Sequence, residues 1–414
     1  MLLLTQIGAR QHYEPAVMAQ EAGLLARIIT DVWNPFGDPL RRLAERTGSA
    51  RLMRYAGRFR PELDPARVVS LSALPFRSQI RRALRRSREK MYFDFVREGA
   101  SFARQCVKYA DCPHSVFFGF SSASYEMLVH EKRNGVRTVL DQIDPGPAEY
   151  QIVKDEERRF PSFVETPLEV PRKYTERLRE EWNVADTVLV NSEWSRRALA
   201  EHGVSESRIA VIPLPFKPRE QTGDGPPRAK GTLRVLWLGT LNLRKGLPYA
   251  IEAARLLDGD GVTFTFAGPL EIRSDALRLP QNASYVGQVP RALTADLYRR
   301  HDVFLFPTLS DGFGLTQTEA LSYGLPVVTT TNCGNVVNHG DSGLIAPPRD
   351  SKAIAEAIRH FRDGNELERM SANALQRSKS FSPEAIWPLY REALFPEKQR
   401  LAAVGPWSDP REHR

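Results

Sequence analysis

The sequence predicts an α/β protein made of two doubly wound parallel sheets that face each other across a cleft. Short apolar runs rich in Val, Ile, Leu and Phe alternate with amphipathic stretches along the chain, which is the pattern of buried parallel strands joined by crossover helices. A chain of 414 residues suits two domains of about 150 to 200 residues each. Residues 213–231 contain five prolines and three glycines, so neither periodicity continues through them.

The predicted strands divide into two sets. In the first half they are residues 2–6, 27–30, 68–71, 115–118, 137–140, 187–190 and 209–212. In the second half they are residues 234–239, 263–267, 284–287, 303–307, 326–329 and 343–346. The predicted organisation is a first domain over 1–213, a linker over 214–231, a second domain over 232–378, and a final helix and tail over 379–414 that return to the first domain. Because doubly wound sheets bind ligands beyond the carboxyl ends of their strands, functional residues are expected in loops that follow strands.

The composition is typical of a folded protein in a reducing compartment. Hydrophobic residues make up 42% and charged residues 26%, which excludes a disordered, collagen-like or disulfide-scaffold chain. The opening Met1-Leu-Leu-Leu4 is short and lacks a basic leader, so we expect a buried strand and no export signal. The cysteines Cys106, Cys112 and Cys333 cannot form a disulfide framework. A cytoplasmic location is the simplest expectation.

The net charge of +8 is concentrated in one region. Residues 51–104 carry 14 Lys or Arg and 5 Asp or Glu, an excess of 9. Within this region, residues 77–90 place Ile80 and Leu84 among cations at helical spacing, which is typical of a basic amphipathic helix. The expected partner is an anionic membrane surface, and the alternative is a solvated helix face covered by arginine stems. Nucleic acid is not expected, because no nucleic-acid motif accompanies the charge.

The densest candidate site follows the predicted strand 303–307. It reads Thr308-Leu-Ser-Asp311-Gly-Phe-Gly-Leu-Thr-Gln-Thr-Glu319-Ala and is followed by Gly324-Leu-Pro326. Glycines let backbone N–H groups approach a ligand, and a helix start offers unpaired donors and partial positive charge to anionic oxygens. The two carboxylates could accept hydrogen bonds from two sets of sugar hydroxyls. For either acid alone, the alternative is a capped turn or a solvated side chain.

A second candidate site follows the predicted strand 234–239. The loop Thr240-Leu-Asn-Leu-Arg244-Lys245-Gly246 leads from this strand into a helix. Two adjacent cations beside a glycine and a helix start suit a diphosphate, whose charge they could stabilise as it departs. The alternative is an exposed loop lysine. By contrast, Asp258 and Asp260 precede a strand, so we interpret them as a turn and not as a metal site.

Together these motifs resemble the donor domain of the family 4 retaining glycosyltransferases, within the glycosyl transferases group 1. The resemblance is carried by Gly239…Lys245-Gly246, Ala267-Gly-Pro269, Val286-Gly287, Tyr298…Asp302-Val-Phe-Leu-Phe-Pro307, Asp311-Gly-Phe-Gly…Glu319-Ala and Gly324-Leu-Pro-Val. It is dense over residues 234–349 and looser over 2–30 and 186–196. It implies the GT-B fold of two Rossmann-like domains facing a cleft, a nucleotide-diphosphate sugar as donor, no obligatory metal or other cofactor, and retention of anomeric configuration.

The resemblance also implies roles for individual residues. Glu319 would bind the ribose hydroxyls, Asp311 would lie near the donor sugar and Lys245 would hold the diphosphate. The remaining donor contacts would come from Gly312, Phe313, Gly314 and Leu315 through backbone N–H groups, from Val286 and Gly287 beside the base, and from Gly8 and Arg10 in the first domain.

Two departures from the family pattern lie in the second domain. Asp311 stands where the family usually has Glu, so its carboxylate reaches one methylene less far. Thr240 stands where an Arg is common, and Arg244 could supply that charge from four positions later.

The third departure concerns the first domain, where no His follows the strand at 137–140. Gln142 could instead contact the reacting centre, and Asp144 could orient an acceptor hydroxyl. For Asp144-Pro-Gly146 a simple turn is the alternative. His12 would border the cleft on the acceptor side, and a structural role is the alternative for it.

The leading hypothesis is a hexosyl-transferring enzyme that adds a sugar to a glycan or lipid-linked glycan in polysaccharide biosynthesis. No Ser-His-Asp or Cys-His arrangement is evident, and the departing phosphate could itself accept the proton of the acceptor. The alternatives are a GT-B-type epimerase and a non-catalytic scaffold that binds nucleotide sugars. A nicotinamide-linked dehydrogenase is disfavoured, because no strand is followed by Gly-x-Gly-x-x-Gly.

Overall fold

The computed structural model describes residues 1–71, 88–218 and 231–396. All the predicted strands are confirmed, with ends displaced by at most two residues. The first domain contains β1 (Leu2–Gln6), β2 (Leu25–Thr30), β3 (Val68–Ser70), β4 (Val116–Phe120), β5 (Arg137–Gln142), β6 (Thr187–Val190) and β7 (Ile209–Val211). They form one parallel sheet in the order β3-β2-β1-β4-β5-β6-β7.

A second parallel sheet forms the other domain. Its strands are β8 (Leu233–Leu238), β9 (Val262–Ala267), β10 (Ala283–Tyr285), β11 (Val303–Phe306), β12 (Val327–Thr330) and β13 (Gly343–Ala346). They are ordered β10-β9-β8-β11-β12-β13. In both sheets the strand order reverses beside the first strand of the domain, which makes each sheet doubly wound and places a crevice at that point.

Helices cover both faces of each sheet. In the first domain they are Glu14–Glu21, Asp38–Thr47, Ala50–Ala56, Arg88–Cys106, Tyr125–Arg133, Pro147–Arg159, Arg172–Val184 and Glu193–Glu201. In the second they are Leu247–Leu256, Thr294–Arg299, Leu315–Ser322, Ser351–His360 and Gly364–Ser378, followed by the final helix Pro383–Leu394.

Each sheet has a buried cluster of apolar side chains on each of its two faces, because side chains alternate between the faces along a strand. Successive side chains of a strand point to opposite faces of the sheet, and on β1 Leu3 joins one buried cluster while Leu2 and Leu4 join another. On β8, Trp237 and Leu236 divide in the same way between two clusters. Both faces of each sheet are therefore buried, which is why the strands appear as continuous apolar runs.

The chain crosses back to the first domain at its C-terminal end. Ile386, Tyr390 and Leu394 of the final helix are buried in the cluster that contains Leu2 and Leu4. The Tyr390 ring lies 6.1 Å from that of Phe118 on β4. The final helix thereby adds a layer to the first domain.

Two predicted features lie mainly outside the described residues. The basic segment 77–90 is described only from Arg88, at the start of the helix Arg88–Cys106. The linker is described at residues 214–218 and 231, where the backbone N–H of Phe216 donates to the carbonyl of Phe381 at 2.7 Å.

Candidate functional site

The two sequence motifs of the second domain meet at the carboxyl edge of its sheet. Lys245 follows β8 and Asp311 follows β11, and these strands are hydrogen-bonded neighbours. The Lys245 ammonium forms an ion pair with Asp311 Oδ2. The same ammonium lies 4.7 Å from the centroid of the Phe306 ring, at the end of β11. Neighbouring parallel strands thus bring together residues that are 66 positions apart.

Arg244 adds a second positive charge to this cluster. Its Nη1 donates to the carbonyl of Ser310 at 3.0 Å and lies 3.5 Å from both Asp311 Oδ2 and Glu149 Oε2. Burial alone would raise the pKa of Asp311, but the charges of Lys245 and Arg244 outweigh it and hold that pKa below its ordinary value. Burial lowers the pKa of Lys245, and the charge of Asp311 opposes that shift. Asp311 is therefore held as a carboxylate between two cations.

Glu319 lies on the helix Leu315–Ser322, which follows the loop that carries Asp311. Tyr298 donates its hydroxyl to Glu319 Oε2 at 2.9 Å. Glu319, Leu315 and His12 line a cavity of about 430 Å³ between the two domains. A second cavity of about 270 Å³ is lined by residues that include Thr240, Arg244, Lys245, Phe306 and Thr316. The helix Leu315–Ser322 thus borders both cavities, with its first turn between them.

The backbone around the helix start differs in part from the predicted donor arrangement. Gly314 has φ +84° and precedes the helix Leu315–Ser322. The N–H of Phe313 donates to Asp311 Oδ1 at 3.2 Å, so this predicted ligand donor has a partner within the protein. The side chain of Phe313 is buried in the core. Val286 and Gly287 follow β10, where the Val286 side chain is 49% exposed.

The loop after β1 carries the first-domain residues of the predicted site. The N–H of Gly8 donates to Asp31 Oδ1 at 2.8 Å, and the Arg10 guanidinium lies 5.9 Å from the centroid of the Phe120 ring. Gln11 and His12 have φ values of 47° and 51°. Residues other than glycine rarely adopt this left-handed backbone conformation, and such backbone strain concentrates at functional sites.

Gln142 holds Asp144 through its side-chain amide. Gln142 Nε2 donates to Asp144 Oδ1 at 2.9 Å, and Gln142 Oε1 accepts from Trp182 Nε1 at 2.8 Å. Asp144 Oδ1 also accepts from the N–H of Gly146 at 2.9 Å, which closes the turn considered from the sequence. Both ends of the Gln142 amide are therefore bound within the first domain, and Asp144 is the acid that it orients.

Several residues of the interface carry no distinct sequence signal. Glu149 lies in the first turn of the helix Pro147–Arg159 and accepts a hydrogen bond from Ser310 Oγ at 3.0 Å. Trp194 Nε1 donates to the same hydroxyl at 3.2 Å. Gln11 Nε2 donates to Asp141 Oδ2 at 2.8 Å. The sequence places these residues in loops or early helix turns, but their partners come from distant parts of the chain.

Burial raises the pKa of Asp141 to about 7, although Arg10 and Gln11 act in the opposite direction. Burial likewise raises the pKa of Glu149 to about 7, against the charge of Arg244. In the unfolded chain an Asp titrates near pH 4. Between these pH values the folded protein binds more protons, so the stability that Asp141 contributes is present at low pH and is lost as pH rises to about 7.

Asp141→Asn tests the direction of this pH dependence of stability, because an Asn amide oxygen can still accept a hydrogen bond from Gln11 without carrying a charge. Relative to wild type, we expect the variant to gain thermal stability progressively between about pH 4 and pH 7. Differential scanning calorimetry at four pH values measures the difference in midpoint. A difference that stays constant over this range would contradict the assignment of Asp141.

The turn before β9 agrees with its interpretation from sequence. Asp260 forms an ion pair with Arg359 at 2.9 Å, and its N–H donates to the carbonyl of Leu257. Across residues 1–71, 88–218 and 231–396, no group of three or more His, Cys, Asp or Glu could hold a metal ion. In the same ranges, no helix is long and apolar enough to cross a membrane.

Comparisons with known proteins match the part of the chain that carries these residues. Residues 232–363 match the family model of the glycosyl transferases group 1. The chain is 28% identical over 242 residues to the putative colanic acid biosynthesis glycosyltransferase WcaL of Salmonella typhimurium, covering 53% of this chain and 58% of that protein. It is 28% identical over 292 residues to O-antigen chain mannosyltransferase B of Escherichia coli, covering 62% and 75%. The chain spans about half the length of the first curated relatives it matches.

Solved structures establish the fold. Sucrose-phosphate synthase from Thermosynechococcus elongatus superposes over 98% of this chain and 99% of its own, with a TM-score of 0.64 and 18% identity. TarM superposes over 95% and 98%, with a TM-score of 0.63 and 11% identity. The chain has the GT-B fold. The family model matches the second domain, and these two curated relatives are both named as transferases of sugars.

Proposed function

We propose that this protein is a retaining glycosyltransferase that moves a sugar from a nucleotide-diphosphate donor to a glycan or lipid-linked glycan. The observation that carries the proposal is the convergence of Lys245, Arg244 and Asp311 beside the start of the helix Leu315–Ser322. The segment that builds this cluster is the one that matches the family model. Relatives named for colanic acid and O-antigen synthesis support an acceptor of the glycan class.

The leaving diphosphate would bind at the positive edge of the second sheet. Lys245 supplies a full charge, and the start of the helix Leu315–Ser322 supplies backbone N–H groups and partial positive charge. Both act where negative charge develops as the sugar–phosphate bond breaks, which is where electrostatic catalysis is most effective. Asp311 would face the sugar hydroxyls, and Glu319 the ribose hydroxyls.

Retention follows most simply if the leaving phosphate acts as the base. The bond from the anomeric carbon to the phosphate oxygen breaks, the acceptor oxygen bonds to that carbon on the same face, and its proton passes to the departing phosphate. Asp311, the acid beside the diphosphate position, is engaged by Lys245, Arg244 and the N–H of Phe313. Those contacts stabilise its charge and suit a binding role better than a nucleophilic one.

The proposal is tested by incubating the protein with radiolabelled nucleotide sugars and a panel of lipid-linked and oligosaccharide acceptors. We expect the label in the acceptor, with release of nucleoside diphosphate, and an α-linkage from an α-linked donor by NMR. Inverted linkage would contradict retention. Conversion of the donor sugar without transfer would identify an epimerase, and binding without either reaction would identify a scaffold.

Metal dependence gives a further test of the proposal. Because Lys245, Arg244 and a helix N-terminus can neutralise the diphosphate, we expect transfer to continue at about the wild-type rate in excess EDTA. The measurement is initial rate with EDTA and with EDTA plus saturating Mg²⁺ or Mn²⁺. A rate that falls at least about tenfold with EDTA and returns with either ion would contradict a metal-independent site.

We propose, further, that the enzyme acts at the cytoplasmic face of an anionic membrane, held there by the basic region 51–104. The sequence excess of 9 positive charges in this region supports the proposal. Sedimentation with vesicles should show binding to phosphatidylglycerol-containing vesicles at low salt and release at high salt. Equal sedimentation with neutral and anionic vesicles would remove this part of the proposal.

A further inference from the structure

The loop of residues 308–314, here called the Asp311 loop, is in contact with the first domain. Ser310, which directly precedes Asp311, is completely buried. Its hydroxyl accepts from Trp194 Nε1 at 3.2 Å and donates to Glu149 Oε2 at 3.0 Å. Trp194 follows β6 and Glu149 follows β5, so two separate elements of the first domain bind one hydroxyl of the second.

The residue after Asp311 touches the first domain through its backbone. A Cβ atom at Gly312 would lie 2.2 Å from the carbonyl oxygen of Ile143 and 3.2 Å from Asn191 Oδ1. Atoms do not approach a real Cβ to 2.2 Å, so only glycine fits here while the domains keep this separation. Asn191 is 4% exposed, and its Oδ1 has no hydrogen-bond partner among the described residues. The loop is thus held against the first domain at positions on both sides of Asp311.

Glu149 also connects the first domain to Arg244, one of the two cations of the site. Arg244 Nη1 lies 3.5 Å from Glu149 Oε2 and 3.5 Å from Asp311 Oδ2. One guanidinium nitrogen is therefore shared between a carboxylate of each domain. Glu149 itself faces Arg244 and Ser310, with the charges of Asp144 and Asp311 nearby.

We infer that Ile143, Glu149, Asn191 and Trp194 form a docking surface that sets the shape of the Asp311 loop. Glu149 and Trp194 are then positioning residues: they touch Ser310 and Arg244, and through them fix the carboxylate of Asp311. The catalytic half of this inference rests on the proposed function. Its consequence is that the sugar-binding part of the donor site is complete only while the two domains are in contact.

The test is a double-mutant cycle across the domain interface. Trp194→Phe removes the indole N–H but keeps an aromatic ring, and Ser310→Ala removes the hydroxyl that it binds. We expect each variant to lower kcat by about tenfold, and the double variant to be no slower than the worse single variant. We expect the Kd for the nucleoside diphosphate alone to change by less than about twofold, since Lys245 and Glu319 are untouched.

Tyr249→Phe is the matched control. The Tyr249 hydroxyl donates to Glu156 Oε2 at 2.8 Å, so it also hydrogen-bonds across the interface, but to a residue other than Glu149 or Trp194. Loss of this bond should leave both kcat and the loop unchanged. If Tyr249→Phe lowers kcat as much as Trp194→Phe, general domain contact is responsible and the inference fails.

A readout independent of activity separates this inference from the proposed function. Hydrogen–deuterium exchange of residues 308–314 should be at least about tenfold faster in Trp194→Phe and Ser310→Ala than in wild type or Tyr249→Phe. Unchanged exchange, or additive losses of kcat in the cycle, would overturn the docking surface. The wild-type protein could transfer no sugar while the loop still exchanges faster in Trp194→Phe and Ser310→Ala. That result would support the docking surface and contradict the proposed function.

Discussion

Lys245→Met is expected to transfer sugar about 10²- to 10³-fold more slowly than wild type, with the loss mainly in kcat. Lys245 is one of two side-chain cations at the diphosphate position in the proposed mechanism, and a Met of similar length removes its charge while filling the space. A loss of kcat is expected because this ammonium group stabilises negative charge that develops in the transition state. Initial rates at saturating and limiting donor measure it.

The control for Lys245 is Lys132→Met. Lys132 also forms an ion pair with an aspartate, Asp186, but in the first domain on the surface. Its replacement removes one lysine and one ion pair and should leave the rate of transfer unchanged. Circular dichroism checks that both variants fold. A Lys245→Met protein that folds and keeps more than about a third of the wild-type kcat would contradict the role of this lysine.

Gly246→Ala is expected to be the most destabilising of the small substitutions at the site. Gly246 has φ +77°, and a Cβ atom there would lie 2.0 Å from the carbonyl oxygen of Pro307. The left-handed conformation costs an alanine about 1–2 kcal/mol. The clash forces the end of β11 away from the loop that carries Lys245, so we expect a total loss of about 3–4 kcal/mol in the free energy of unfolding.

Gly135→Ala separates the cost of the left-handed backbone conformation from the cost of the clash with Pro307. Gly135 has φ +74°, but nothing lies within 4 Å of the position of its Cβ atom. It therefore reports the conformational cost alone, about 1–2 kcal/mol. Urea unfolding of both variants gives the comparison. Equal losses for the two would show that Pro307 moves aside without cost, which would contradict the close approach proposed for Gly246.

The strands were predictable because burial on both faces leaves a direct mark on the sequence. For the strands Leu2–Gln6 and Thr187–Val190 both ends agree with the prediction. The strand Val116–Phe120 runs two residues further than predicted, through Gly119. A glycine usually interrupts a strand, but here it pairs with Leu140, and a side chain at this position would collide with Ser124 Oγ at 2.3 Å.

The candidate site was predictable only within the second domain. Lys245 and Asp311 follow strands that lie side by side, so the fold class alone brings their loops together. Glu149 and Trp194 could not be assigned from sequence, because their partner Ser310 belongs to the other domain and the arrangement of the two domains leaves no periodic pattern. For Gln142 the sequence predicts contact with the reacting centre, and the structure adds that its amide binds Asp144 and Trp182.

The most direct test of the central claim is binding of a nucleoside diphosphate to the wild-type protein and to Glu319→Ala, measured by isothermal titration calorimetry with UDP, GDP, ADP, TDP and CDP. We expect one diphosphate to bind the wild type, and Glu319→Ala to weaken that binding about ten- to hundredfold through loss of a charged hydrogen bond. Exposed Glu356→Ala is the control and should bind as wild type. If none of the five binds the folded wild-type protein, or if Glu319→Ala binds as tightly as wild type, the donor site is not where we place it.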